Sequence, residues 1–151
     1  MIKLNLDLYV DRLIKNSEIS NKVAVVGGGE SRVFNFYSNG CGFAWIWIKG
    51  RKAKNYFIKL NEEVKKEYGF NLFDISKGYP NGFNVSLHRE FLFYLGKLAK
   101  VKAKRLNLPI DFIENIGAYA LQDMAFKEFI LNDILEQTDY KENAYVLTRL
   151  D

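Results

Sequence analysis

Residues 43–48 read Phe-Ala-Trp-Ile-Trp-Ile, and their interpretation decides the fold. Six apolar residues in a row, rich in aromatic and β-branched side chains, suit an extended strand. In a strand, side chains alternate, so Phe43, Trp45 and Trp47 share one face and Ala44, Ile46 and Ile48 the other. With both faces apolar, the strand belongs inside a sheet rather than at its edge. Lys49-Gly50-Arg51 turns the chain after it.

Working outward, Val23–Val26 and Val33–Tyr37 read as neighbouring strands, separated by the turn formers Gly27-Gly28-Gly29 and Ser38-Asn39-Gly40. A fourth strand is expected over Lys54–Leu60, with Asn61 capping a short helix after it. Phe70–Ile75 and Phe83–Leu87 form a second strand pair around the loop Lys77–Gly82. Ala144–Leu147 adds a short edge strand. Before the sheet, Leu6, Tyr9, Val10, Leu13 and Ile14 line one side of a helix that Asn16-Ser17 should interrupt. Ser86 is expected to cap a helix over about 89–106, whose apolar side carries Phe91, Leu95, Leu98, Ala99 and Leu106. Pro109 opens a long C-terminal helix through Leu135, whose first turns gain from Asp111 and Glu114. Its apolar arc contains the pair Asp123 and Lys127, four residues apart, expected to pair with each other at the edge of the domain. The expected fold is α+β: an antiparallel meander sheet packed against two or three helices, in a single domain over 1–151.

The 151-residue chain is 48% hydrophobic and 15% aromatic, enough to bury a core without staples. A lone cysteine, Cys41, permits neither an internal disulfide nor a multi-thiolate zinc site and suits a reducing compartment. No leader and no membrane-spanning run is read, so the cytoplasm is the expected location. The net charge of +4 conceals a split. Residues 49–105 hold 14 Lys or Arg against 5 Asp or Glu, whereas 106–151 hold 3 against 9. A field segregated in this way acts on partners.

No catalytic constellation stands out. The glycine loop at 27–29 lacks the third glycine of a nucleotide fingerprint, Arg32 standing in its place. The only histidine, His88, is either a cap or the centre of a metal-independent nuclease. No cofactor or metal site is expected. Two candidate contact surfaces remain. One joins Arg51, Lys52 and Lys54, placed at a hairpin end, with Tyr79 in the Lys77–Gly82 loop, a tyrosine and arginine set suited to a protein partner. The other is a helix side carrying Lys97, Lys100 and Lys104, with Arg105 near its rim and Phe93 among the cations. A ring within a cationic strip suits single-stranded nucleic acid, base stacked and phosphate held.

Residues Gly27-Gly28, Phe34, Phe36-Tyr37, Ser38-Asn39-Gly40 and Phe43, followed later by Tyr119, Leu121, Asp123 and Ala125, resemble the ArdB/KlcA-type antirestriction proteins. Two residues usual before the Ser-Asn-Gly turn are absent here. The resemblance implies a non-catalytic inhibitor of a type I restriction system, acting without copying the charge of DNA; the residue composition suits a bacterial or phage source, and the expected partner is a restriction or other defence complex. The functional expectation is a binding or inhibitory protein working by protein contact, with nucleic-acid binding and a His88 nuclease as alternatives.

Overall fold

A computed structural model describes residues 2–26, 44–77 and 82–148. The glycine turn at 27–29, the strand expected over Val33–Tyr37, the Ser38-Asn39-Gly40 turn, Cys41, Phe43 and Tyr79 lie outside the described residues.

Residues 44–48 of the apolar run, with Lys49, form β1 (Ala44–Lys49), which occupies the interior position expected of it. The sheet order is β2–β3–β1–β4, where β2 is Phe73–Lys77, β3 Gly82–Leu87 and β4 Ala144–Thr148, and all pairings are antiparallel. The sheet is therefore not a meander: β1 lies between β3 and β4, neither its sequence neighbour. Ile46 pairs with Val85 and Ile48 with Phe83, which places these four on one buried face with Phe73 and Leu87.

The fourth expected strand is instead a helix, α2 (Arg51–Tyr68). Tyr56, Ile58 and Leu60 alternate as in a strand, but the buried set is Ala53, Phe57, Leu60 and Val64, a helical stripe. Phe57 lodges between Phe73 and Phe83 of the sheet, 5.4 and 5.9 Å centroid to centroid. Gly50, at φ 109°, supplies the left-handed turn from β1 into α2. Gly69, at φ 83°, ends the helix by donating to the Lys65 carbonyl.

Asn61, expected as a cap, is interior to α2 and serves another purpose. Its Oδ1 accepts from the amides of Leu72 and Phe73, both at 2.9 Å, and its Nδ2 donates to the Phe73 carbonyl at 3.2 Å. One side chain thus fixes where β2 begins relative to α2.

The first helix, α1, spans Leu6–Val26, so the strand expected over Val23–Val26 is helix. Their β-branched content is a weak preference that an established helix overrides. Asn16-Ser17 does not interrupt it, because both polar groups are used: Ser17 Oγ donates to the Leu13 carbonyl at 2.6 Å, and Asn16 Nδ2 to Asp123 at 3.0 Å.

Helix α3 (Arg89–Arg105) begins one residue after its true cap, His88, whose Nδ1 accepts from the Glu90 amide; Ser86 belongs to β3. Asn107, at φ 56°, closes the helix, with the Leu108 amide donating back to the Ala103 carbonyl. The expected long C-terminal helix is two, α4 (Ile110–Gln122) and α5 (Met124–Glu136). They break at Asp123, whose extended backbone and side-chain bond to the Phe126 amide make it the cap of α5. Five α-helices are present among the described residues, and two of them pack on the sheet, within the two or three expected there. Helix α2 and helix α5 contact β1 and β3, while α1 packs on α3, α4 and α5.

Helices α3 and α4 approach closely because small residues line their contact. A Cβ on Gly96 would stand 3.2 Å from the Cα of Gly117, and Ala99, Ala103 and Ala120 are fully buried. No described helix is long and apolar enough to cross a membrane.

Candidate nucleic-acid interface

Helix α3 has two sides. Phe91, Leu92, Leu95, Gly96, Ala99 and Ala103 are buried. Leu106, expected among them, lies past the helix end and is exposed. On the other side, at 100° per residue, Arg89, Phe93, Lys97, Lys100 and Lys104 fall within an arc of about 80° and run about 22 Å along the axis. Phe93 is 46% exposed. The guanidinium of Arg89 sits 5.5 Å from its ring centroid, a cation–π contact that holds the ring in the cationic row. Arg89 was not among the expected site residues, although its i, i+4 spacing to Phe93 was visible in the chain.

No described carboxylate of the acidic C-terminal third forms an ion pair with this row, although Glu114 shares a groove with Lys100 and Lys104. Asp123 is taken by Asn16 and the Phe126 amide. Asp133 accepts from the Tyr9 hydroxyl and, at 3.0 Å, from Asn5 Nδ2. Glu136 pairs locally with Lys141 at 3.0 Å. Of the α3 cations only Lys102, on the flank, has an ion pair, with Asp11 of α1; among the described residues Lys97, Lys100, Lys104 and Arg105 have none. Lys104 and Arg105 complement the negative end of the helix, but Lys97 and Lys100 lie mid-helix, where that local benefit is absent.

The row ends at a groove of about 320 Å³ between α3 and α4, lined by Lys100, Lys104, Ile110, Ile113 and Glu114. Ile110 is 73% exposed, and Val101 on α3 and Leu106 just past its end are exposed as well. Reading the sequence alone missed this groove, because its walls are brought together by the tight turn at 106–109 and the glycine contact.

The second expected surface is reorganised. Arg51, Lys52 and Lys54 are exposed on the first turn of α2 rather than at a hairpin end. Cations there oppose the helix dipole, and Gly50 offers no side-chain cap. The register Lys49↔Gly82 sets this turn at the sheet end where β2 stops and β3 starts. Helix α3 starts from the opposite end of β3, so the two cationic surfaces begin at opposite ends of that strand.

His88 is bound into the fold: its amide donates to the Leu72 carbonyl at 2.8 Å, and its Nδ1 receives the Glu90 amide. Accepting at Nδ1 assigns the ring proton to Nε2. Asn71 Nδ2 donates to both Glu90 oxygens, at 3.1 and 3.0 Å, which holds that carboxyl below its ordinary range. Among the described residues no group of three His, Cys, Asp or Glu is placed to hold a metal ion. Inside the helical layer burial raises the Tyr119 hydroxyl, and two further groups are strongly perturbed. Burial, then the Asp133 bond, pushes the Tyr9 hydroxyl well above its usual range. Burial also lowers Lys127, 7% exposed, to about 8 against the opposing pull of Asp123, the partner expected for it. Neither residue lines the cationic groove.

No family model matches the chain, and no curated protein or solved structure matches it.

Proposed function

We propose that the protein binds single-stranded nucleic acid along the outer side of α3. The observation that carries this is the row Arg89–Phe93–Lys97–Lys100–Lys104, with an exposed ring held by a guanidinium among cations that no described carboxylate pairs. Phosphates would lie on the ammonium groups and a base on the free face of Phe93, a division of labour common to sequence-tolerant strand binders. Charge alone would suit duplex DNA as well; the protruding ring favours unpaired bases, whose faces are accessible. A reducing cytoplasm is the setting this reading assigns.

The test is fluorescence anisotropy with a labelled 12-nucleotide RNA or DNA, single-stranded or annealed, at 50 mM salt. The single strand is expected to bind more tightly than the duplex, and Phe93→Ala to weaken it about tenfold, near the lower end of the stacking energy per base. A duplex bound equally well, or a Phe93→Ala protein unchanged, would remove the stacking role.

A second reading rests on the first turn of α2. Arg51, Lys52 and Lys54 crowd an uncapped positive helix end, an arrangement unfavourable within the molecule and relieved by an acidic partner. In this reading the protein is an inhibitor acting by protein contact, and the antirestriction resemblance would make that partner a restriction or other defence complex. Comparing proteins captured from a bacterial lysate by the native chain and by Arg51→Glu and Tyr79→Ala variants tests it; an identical set would exclude these residues.

A further inference from the structure

We infer that the groove closing the cationic row takes a guanine base, so that the strand-binding surface, on which this inference rests, has one position selective for guanine. The groove has the chemistry of a base site. Ile110 and Ile113 form apolar walls for a flat ring, and Lys100 and Lys104 on its rim continue the row that would carry the backbone phosphates. Its volume of about 320 Å³ accommodates a single heterocycle. Ile110, at 73% exposed, leaves apolar surface in water that a stacked base would cover.

Selectivity comes from Glu114. Among the described residues it receives no hydrogen bond and forms no ion pair, and it is the sole acid of the groove lining. An ionised carboxylate only accepts hydrogen bonds, and its two oxygens match two adjacent parallel donors. The Watson–Crick edge of guanine offers that pair, N1–H and the N2 amine. Adenine and cytosine offer one amine beside a ring nitrogen acceptor that would face the second oxygen unfavourably, and uracil one N–H between two carbonyls. The flanking lysines offset the charge of Glu114 for an approaching polyanion.

The experiment uses labelled uridine hexamers with one central position changed to guanosine, inosine, adenosine or cytidine, bound to the full chain at low salt and followed by anisotropy. The guanosine hexamer is expected to bind about tenfold tighter than hexauridylate, within the range of a good bidentate pair. Inosine, which lacks the N2 amine, should fall between. Glu114→Gln should reduce the guanosine preference below about threefold while hexauridylate binding is retained or tightens, since the change removes a negative charge beside Lys100 and Lys104. Equal binding of all hexamers, with salt-dependent hexauridylate binding intact, overturns the guanine site and leaves the strand surface standing. Absence of binding by every hexamer overturns both. A preference for adenosine or cytidine, or a guanosine preference unmoved by Glu114→Gln, also overturns the assignment.

Discussion

Replacing Lys97, Lys100 and Lys104 together by alanine should change how binding responds to salt, and the size of the change follows from the row on α3. Five cations lie on or beside it: Arg89, Lys97, Lys100, Lys104 and Arg105. For a single strand, each phosphate neutralised adds about 0.7 to the slope of log affinity against log salt. Five contacts give a slope of about −3.5, so raising salt from 50 to 200 mM should weaken native binding about 100-fold. With two cations left, the slope falls to about −1.4 and the same step weakens binding only about 7-fold. The ammonium groups removed have no ion pair among the described residues, so stability should stay within about 0.5 kcal/mol. Anisotropy titrations at four salt concentrations, with circular dichroism melting of both proteins, give the slopes and the control. If the triple variant kept the native slope while remaining folded, the phosphates would lie elsewhere and the α3 reading would fail.

Three further outcomes are expected. Asn61→Ala strands the Leu72 and Phe73 amides it now accepts from and should destabilise by about 3 kcal/mol, read as a lower midpoint in urea; a change below about 0.5 kcal/mol would refute its pinning role. Gly82→Ala would place a Cβ 2.5 Å from the Ile48 carbonyl oxygen and from the Trp47 ring, so a loss of about 1–3 kcal/mol with altered tryptophan emission is expected, and an unshifted spectrum would contradict the packing. Stability should also vary with alkaline pH in two opposed phases. Lys127 is lowered in the fold, so the unfolded chain holds the extra proton between about pH 8 and 10.5 and stability rises with pH there. Tyr9 is raised, so above about 10 the folded chain retains the proton and stability falls. Urea midpoints should peak near pH 10, and Lys127→Met should flatten the rising limb; a monotonic decline from pH 8 in the native protein would refute the Lys127 assignment.

The elements legible in the chain were those whose pattern admitted one period. Phe43–Ile48 is apolar on both faces and could only be an interior strand, and Phe91, Leu95 and Ala99 mark a helix whichever neighbour buries them. Residues 54–60 satisfy two periods at once, Tyr56-Ile58-Leu60 for a strand and Ala53-Phe57-Leu60 for a helix, and only contact with Phe73 and Phe83 decides between them. The break at Asp123 was hidden for a different reason. An aspartate within an apolar helical pattern reads as a side chain at the edge, and its capping role depends on Asn16, remote in sequence, holding the carboxylate in place. The candidate site divides likewise: Phe93, Lys97, Lys100 and Lys104 follow from helical spacing, whereas Glu114, Ile110 and Ile113 join them only through the Gly96–Gly117 approach.

The place of β1 has a consequence for how the chain reaches this state. Both of its hydrogen-bonded neighbours arrive later along the chain, Val85 opposite Ile46 and, much later, Thr148 opposite Ala44. Closing such distant pairings is slow, so a nascent chain carries Ala-Trp-Ile-Trp-Ile as an open edge until β4 docks. During that interval this apolar segment can pair with its counterpart on another chain, and β4, the last of the described strands, is the one that shields it.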